Sequence, residues 1–227
     1  MQPDLVIFDC DGVLVDSEPI SFRVLIESIN AAAVEIDTET AYRTFLGKSL
    51  ATICAILRQD FGIDLGPSDL DAMRRRLYAA FRADLKPIPG IAAALDRLDL
   101  PHCVASSSQP ERIRIALEAT GLLERLEPNI FSTTMVAHGK PAPDLFLHAA
   151  EQMGVDPRGC TVIEDSPAGI EAARRAGMRA FAFAGGSHAR SQQHRDALAE
   201  REPDLLFSDM TRLPELLRRP HGVSLGR

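Results

Sequence analysis

The chain has 227 residues, with 25 Lys and Arg against 32 Asp and Glu, a formal net charge of -7, 45% hydrophobic and 25% charged residues, four Cys and no Trp. A chain of this size buries roughly 70 to 75% of its unfolded surface, enough for a core without metal or disulfide staples, and its acidic balance argues against nucleic acid as the main partner. No apolar run reaches the roughly 20 residues of a membrane-spanning helix, and Met1-Gln-Pro-Asp-Leu-Val-Ile-Phe-Asp9 turns acidic where a signal peptide would stay apolar. Cys10, Cys54, Cys103 and Cys160 show no CxxC spacing, which predicts reduced thiols in a cytoplasmic protein. The basic runs Arg74-Arg75-Arg76 and Arg218-Arg219 read as solvated faces.

Leu5-Val-Ile-Phe8 is a short apolar run ending in charge, the pattern of a buried parallel strand. From about Ser17 to Leu85 the pattern is helical: Leu25, Ile29 and Ala32, then Leu50, Ile53, Leu57 and Phe61, then Leu70, Met73, Leu77 and Phe81 recur at i, i+3 or i+4. This predicts an inserted helical domain over 17–85, closed by Lys86-Pro-Ile-Pro-Gly90 as a stiff return. Strand runs then recur at His102–Ala105, Ile130–Ser132, Cys160–Ile163 and Arg179–Phe183. Between them, helices are predicted over Pro110–Thr120, Pro143–Met153 and Pro167–Ala176, each opening on Pro and stopping at Gly121, Gly154 or Gly177. The alternation predicts a doubly wound parallel α/β core over 1–16 and 86–219, with a flexible tail at 220–227 and a ligand site beyond the carboxyl ends of the strands.

Chemistry-bearing residues fall at those ends. Asp9-Cys-Asp11-Gly12 follows the first strand, and alternation puts Asp9 and Asp11 on one side of the chain. Two carboxylates so close repel, which suits a Mg²⁺ site or a nucleophile with an acid/base partner; a solvated acidic turn is the alternative. Glu164-Asp165-Ser166 ends another apolar run before Pro167, where helix capping by Asp165 or Ser166 competes with cation binding. Ser106-Ser107-Ser108-Gln109 precedes a Pro-initiated helix, a place for anion binding or for simple capping. Lys140, between Gly139 and Pro141, is a point charge on stiff backbone, suited to phosphate or to the solvent.

Taken together, Asp9-x-Asp11-Gly12 with Asp16-Ser17-Glu18, Lys140-Pro-x-Pro-Asp144 and Glu164-Asp165-Ser166-x-x-Gly169 resemble the haloacid dehalogenase-like superfamily. The similarity is to its helical-cap branch, which includes β-phosphoglucomutase and small-molecule phosphatases. The resemblance implies a Rossmann-like core, Asp9 as nucleophile forming an aspartyl-phosphate, and Asp11 as general acid and then base. It further implies Mg²⁺ held by Asp9, the main-chain oxygen of Asp11 and Asp165, with Glu164 in or near the metal's ligand sphere. Ser106 would bind phosphate and Lys140 would neutralise charge. Phosphoryl transfer makes these demands, because the protein chiefly positions groups and offsets charge.

Dehalogenating members of the superfamily lack the second acid, so Asp11 favours a phosphate ester. A β-phosphoglucomutase would carry a His near Ser21 and an Arg where Leu50 stands, so the expected activity is hydrolysis of small phosphorylated metabolites, with the mutase as the alternative. Ser107, Ser108, Gln109, Ser21, Arg43, Lys48 and Ser49 are candidate substrate contacts. A receiver-like signalling module would also use an aspartyl-phosphate, but on a middle strand and in about half the length. A monomer without membrane attachment is expected.

Overall fold

The computed structural model describes residues 2–31, 38–45 and 50–218. The chain falls into two compact units, Met1–Ser17 with Leu85–Arg227, and Glu18–Asp84. β1 (Leu5–Phe8) opens the first unit, and α1 (Glu18–Ala31), α2 (Thr38–Phe45), α3 (Leu50–Asp60) and α4 (Pro67–Asp84) make up the second. The helical unit has its own core of Phe22, Leu25, Ile29, Ala41, Phe45, Ile53, Leu57 and Ile63. Leu50, expected on that buried face, is instead 45% exposed as the first residue of α3. Arg74, Arg75 and Arg76 are exposed, and Arg74 pairs with Asp71 one turn away.

The sheet unit resumes with α5 (Ile91–Asp96), β2 (His102–Ser106), α6 (Pro110–Ala119), α7 (Leu123–Leu126) and β3 (Ile130–Ser132). It continues through α8 (Asp144–Gln152), β4 (Cys160–Glu164), α9 (Pro167–Arg175), β5 (Arg179–Phe183), α10 (Gln192–Ala199), β6 (Leu205–Phe207) and α11 (Leu213–Arg218). All neighbouring strands are parallel, in the order β3-β2-β1-β4-β5-β6. This is an α/β Rossmann-like fold, and the order reverses between β1 and β4, where such sheets open a crevice for ligands. β6 was not anticipated: it has three residues, and Leu206 is 40% exposed, so the run lacks the continuous burial that marks the inner strands.

Leu5, Ile7, Cys103, Ala105, Cys160 and Val162 of the central strands pack with Leu145 and Phe146 of α8 and with Ile170 and Ala173 of α9. Each large side chain buried this way contributes roughly 1.5 to 3 kcal/mol, which makes the strand ends a rigid platform. Cys10, Cys103 and Cys160 are buried free thiols and Cys54 is a half-buried one. Gly121, Gly154 and Gly177 follow their helices with positive φ, as read from the sequence, whereas Pro143 caps α8 from outside instead of opening it. Segments on either side of the helical unit pair within the sheet unit: Val15 bridges Pro87 antiparallel, Asp16 N–H donates to Lys86 O at 3.0 Å, and Ile88 N–H to Leu14 O at 2.9 Å. Ser17 and Leu85, expected as the end residues of the helical insertion, belong to this unit, so the insertion is one residue shorter at each end.

Candidate active site

Register along the sheet brings the acidic motifs together. Phe8 pairs with Ile163 and with Val104, so the residues after β1, β2 and β4 emerge side by side, and Asp9 N–H donates to Ile163 O at 3.0 Å. Asp9, Glu164, Asp165 and Ser106 are 7%, 1%, 9% and 1% exposed. Three carboxyl groups so far from water demand compensating charge.

Part of it comes from Lys140, whose Nζ lies 2.6 Å from Asp9 Oδ1 and 2.6 Å from Glu164 Oε1 and donates to Ala105 O at 3.1 Å. Burial alone would lower the Lys140 pKa, but the charges of Asp9 and Glu164 and their hydrogen bonds raise it, so the ammonium stays charged. Its loop is fastened by Asp144 at the start of α8, whose Oδ2 accepts from His138 N–H at 3.2 Å.

Glu164 turns its other oxygen, Oε2, toward the amides of Asp165 and Ser166 and the Ser166 hydroxyl, each at 2.9 Å. With Lys140 on Oε1, both carboxylate oxygens have partners in the chain, so Glu164 orients Lys140. Ser166 also caps α9, accepting from Gly169 N–H at 3.0 Å, so capping and charge placement coexist in this motif. A Cβ at Gly169 would collide with the Glu164 carboxylate, which accounts for the glycine that closes the motif.

Asp11 is held by three donors: Ser17 Oγ at 2.5 Å and Arg112 at 3.0 Å on Oδ1, and Ser108 Oγ at 2.7 Å on Oδ2. Burial raises its pKa, but the Arg112 charge and these hydrogen bonds outweigh burial and leave it below the usual carboxylate range. Gly12 follows with φ of 81°, where a Cβ would strike the Asp165 carboxylate, so only glycine lets the two acidic loops approach this closely.

Asp165 Oδ2 lies 2.8 Å from His188 Nε2, and His194 Nε2 lies 2.8 Å from Asp165 O, with the two imidazoles edge to face. Burial raises Asp165 to about 6 against the pull of His188. Asp9 is raised well above the usual carboxylate range because burial outweighs Lys140, and Glu164 and Asp165 push it further. Among the described residues no three His, Cys, Asp or Glu side chains converge as a metal cage. Two underneutralised carboxylates that need positive charge nevertheless fit a hard cation held partly by main-chain oxygen and water, as Mg²⁺ prefers.

Ser106 Oγ accepts from Ser108 N–H at 3.1 Å, while Ser107 and Gln109 are exposed. Ser21 is half-buried within α1 of the helical unit. The side chain of Arg43, and the whole of Lys48 and Ser49, lie outside the described residues. Sequence reasoning quoted Ser17 only within Asp16-Ser17-Glu18, without a role, and missed Arg112 and His188 as neighbours of the acids. Of the latter two only Arg112 left a local signal, a cation in the first turn of a helix, where the dipole disfavours one.

The model of the haloacid dehalogenase-like hydrolase family matches residues 3–177. The chain is 29% identical over 214 residues to the 6-phosphogluconate phosphatase of Escherichia coli (strain K12), covering 94% of each protein. Its fold is similar to that of a conserved haloacid dehalogenase-like protein of unknown function from Agrobacterium tumefaciens, with a TM-score of 0.81 and 38% identity over 94% of this chain and 97% of that one. It also resembles a HAD family hydrolase from Deinococcus radiodurans R1 with bound phosphate and sodium, with a TM-score of 0.75 and 32% identity over 93% of each chain.

Proposed function

Because the chain belongs to the haloacid dehalogenase-like hydrolase family, we propose that this phosphoric monoester hydrolase is a Mg²⁺-dependent phosphatase of small phosphorylated metabolites that works through an aspartyl-phosphate on Asp9. The observation that carries the reading is Asp9 itself, a buried carboxylate at the end of β1 with the Lys140 ammonium 2.6 Å away and a second acid, Asp11, two residues on. A carboxylate approaches a phosphate dianion only where cations cancel the repulsion. Mg²⁺, held by Asp9, Asp165 and the main-chain oxygen of Asp11, would supply the charge that Lys140 alone does not.

An Asp9 oxygen attacks phosphorus, forming the acyl-phosphate bond as the ester P–O bond breaks. Asp11, protonated once the substrate displaces donors that hold it as a carboxylate, gives its proton to the departing alkoxide. Asp11 then takes a proton from water as that water attacks phosphorus, the bond to Asp9 breaks, and inorganic phosphate leaves. Ser106, buried at the end of β2, and the amides that follow it are the candidates for holding phosphate oxygens. The relatives' phosphatase names and the bound phosphate of the Deinococcus protein support this reading. Where the mutase pattern calls for an Arg, the exposed Leu50 offers no grip on a second phosphate, which favours water as the acceptor.

Phosphate release from a panel of sugar phosphates and phosphoglycolate, with and without Mg²⁺, tests the proposal. Asp9→Asn should abolish release while leaving the fold intact, and acid quenching of the wild type should trap phosphate on Asp9. Turnover retained by Asp9→Asn would overturn the mechanism.

A further inference from the structure

Ser106 and Ser132 close β2 and β3 and stand side by side in register at the end of that ladder. They are 1% and 0% exposed. Together they hold both main-chain groups of Ser108: Ser106 Oγ accepts from its N–H at 3.1 Å, and Ser132 Oγ donates to its carbonyl at 2.7 Å. Ser108 lies in the irregular stretch between β2 and α6, so neither a strand ladder nor a helix sets its place. Its hydroxyl in turn donates to Asp11 Oδ2 at 2.7 Å, 97 residues away along the chain.

A hydroxyl has one proton to give and two lone pairs to share, and a buried one must find partners within the protein. Those of Ser132 are all assigned: Thr134 N–H and Thr134 Oγ1 donate to it at 3.2 and 3.1 Å, which leaves its proton for Ser108 O. Capping the short turn at Thr133–Met135 uses the lone pairs, so the proton serves a separate purpose, and the chain of bonds it starts ends at the acid. A hydroxyl donates to a carboxylate and accepts from a protonated carboxyl, so Ser108 can stay with Asp11 as that residue gains and loses its proton. A general acid works only within hydrogen-bond reach of the oxygen it serves, and a shift of the Ser108 backbone takes Asp11 out of that alignment.

We propose that Ser132 is a positioning residue for leaving-group protonation, acting on Asp11 through the backbone and hydroxyl of Ser108. This rests on the phosphatase reading of the site and extends the machinery around Asp11 to the end of β3.

The test takes kcat/KM for whichever sugar phosphate the wild type hydrolyses fastest and divides it by the value for p-nitrophenyl phosphate, whose nitrophenolate leaves without a proton. Ser132→Ala, and Ser132→Cys with nearly the same shape but a weak donor, should lower that ratio by about 2- to 10-fold, the range of one hydrogen bond. Ile130→Val, two residues earlier in β3, loosens the same strand without touching the donor and should leave the ratio at its wild-type value whatever it does to Tm. Ser108→Ala cuts the chain at its last link, so adding Ser132→Ala to it should lower the ratio no further. A wild-type ratio in both Ser132 variants, an equal fall in Ile130→Val, or losses that add in the double variant overturns the inference alone. Should Asp11→Asn leave the ratio unchanged, the role of Asp11 falls and this inference with it. Hydrolysis of no phosphate monoester overturns the phosphatase reading itself, and the inference with it.

Discussion

Glu164 holds Lys140 at 2.6 Å with 1% and 5% of the two side chains exposed, and every oxygen of that carboxylate is already engaged by the protein. It therefore acts through Lys140, setting where the ammonium meets Asp9. Glu164→Gln keeps the shape and removes the charge, so turnover should fall by about 10- to 100-fold while the protein still unfolds cooperatively. Glu164→Ala leaves a hole and deprives Lys140 of a buried partner, which should cost about 3 to 5 kcal/mol in denaturant unfolding. Stability unchanged in the alanine variant would contradict this role.

Gly169 is the reason Glu164 can lie where it does. A methyl group there meets the carboxylate directly, so Gly169→Ala should lose about 1 to 3 kcal/mol of stability through overpacking, together with activity. Shortening the partner should relieve the clash. The double variant Gly169→Ala with Glu164→Asp is expected to be more stable than the sum of the two single changes, and additive unfolding energies would show that the two residues do not press on each other.

The inner strands were legible because β1, β2, β4 and β5 are short, continuous apolar runs buried on both faces, and the helices because proline and glycine punctuate them. β6 escaped notice although β3, equally short at the opposite edge, did not; its three residues are half-buried or exposed where those of β3 are mostly buried. At the site, Asp9, Asp11, Lys140 and Asp165 could be recognised because backbone position alone sets them, directly after a strand or before a helix. Arg112 and His188 could not, because their roles depend on partners far along the chain, Asp11 and Asp165, that only the folded sheet brings near. For Glu164 the sequence left open whether it meets the cation directly or from behind, because it shows an acid at a strand end but not that its oxygens also meet Lys140 and the following amides.

Asp11 is expected to matter in proportion to how badly the leaving group needs a proton. Asp11→Asn should lower kcat on alkyl phosphates by about 100- to 10,000-fold and affect p-nitrophenyl phosphate much less in the first step, since nitrophenolate departs without help. Ser17→Ala should reproduce the selectivity in weaker form, because the donor at 2.5 Å fixes the orientation of that carboxylate. Equal losses on both esters would remove Asp11 from leaving-group protonation.

Asp165 links stability, pH and cation binding. Burial raises its folded pKa from 3.8 to about 6, so the neutral acid is favoured in the folded state. The stability this confers is present below the unfolded value and is lost as pH rises through about 6. In metal-free protein the difference in Tm between wild type and Asp165→Asn should therefore move against the wild type on going from about pH 5 to about pH 7. Mg²⁺ binds the ionised form, so its stabilising effect has the opposite slope: small at about pH 5, where protons compete, and larger at about pH 7. Thermal unfolding at both pH values, with and without Mg²⁺, separates the two effects. A Mg²⁺ increment that is equal at both pH values, or that Asp165→Asn retains in full, would take Asp165 out of the cation site.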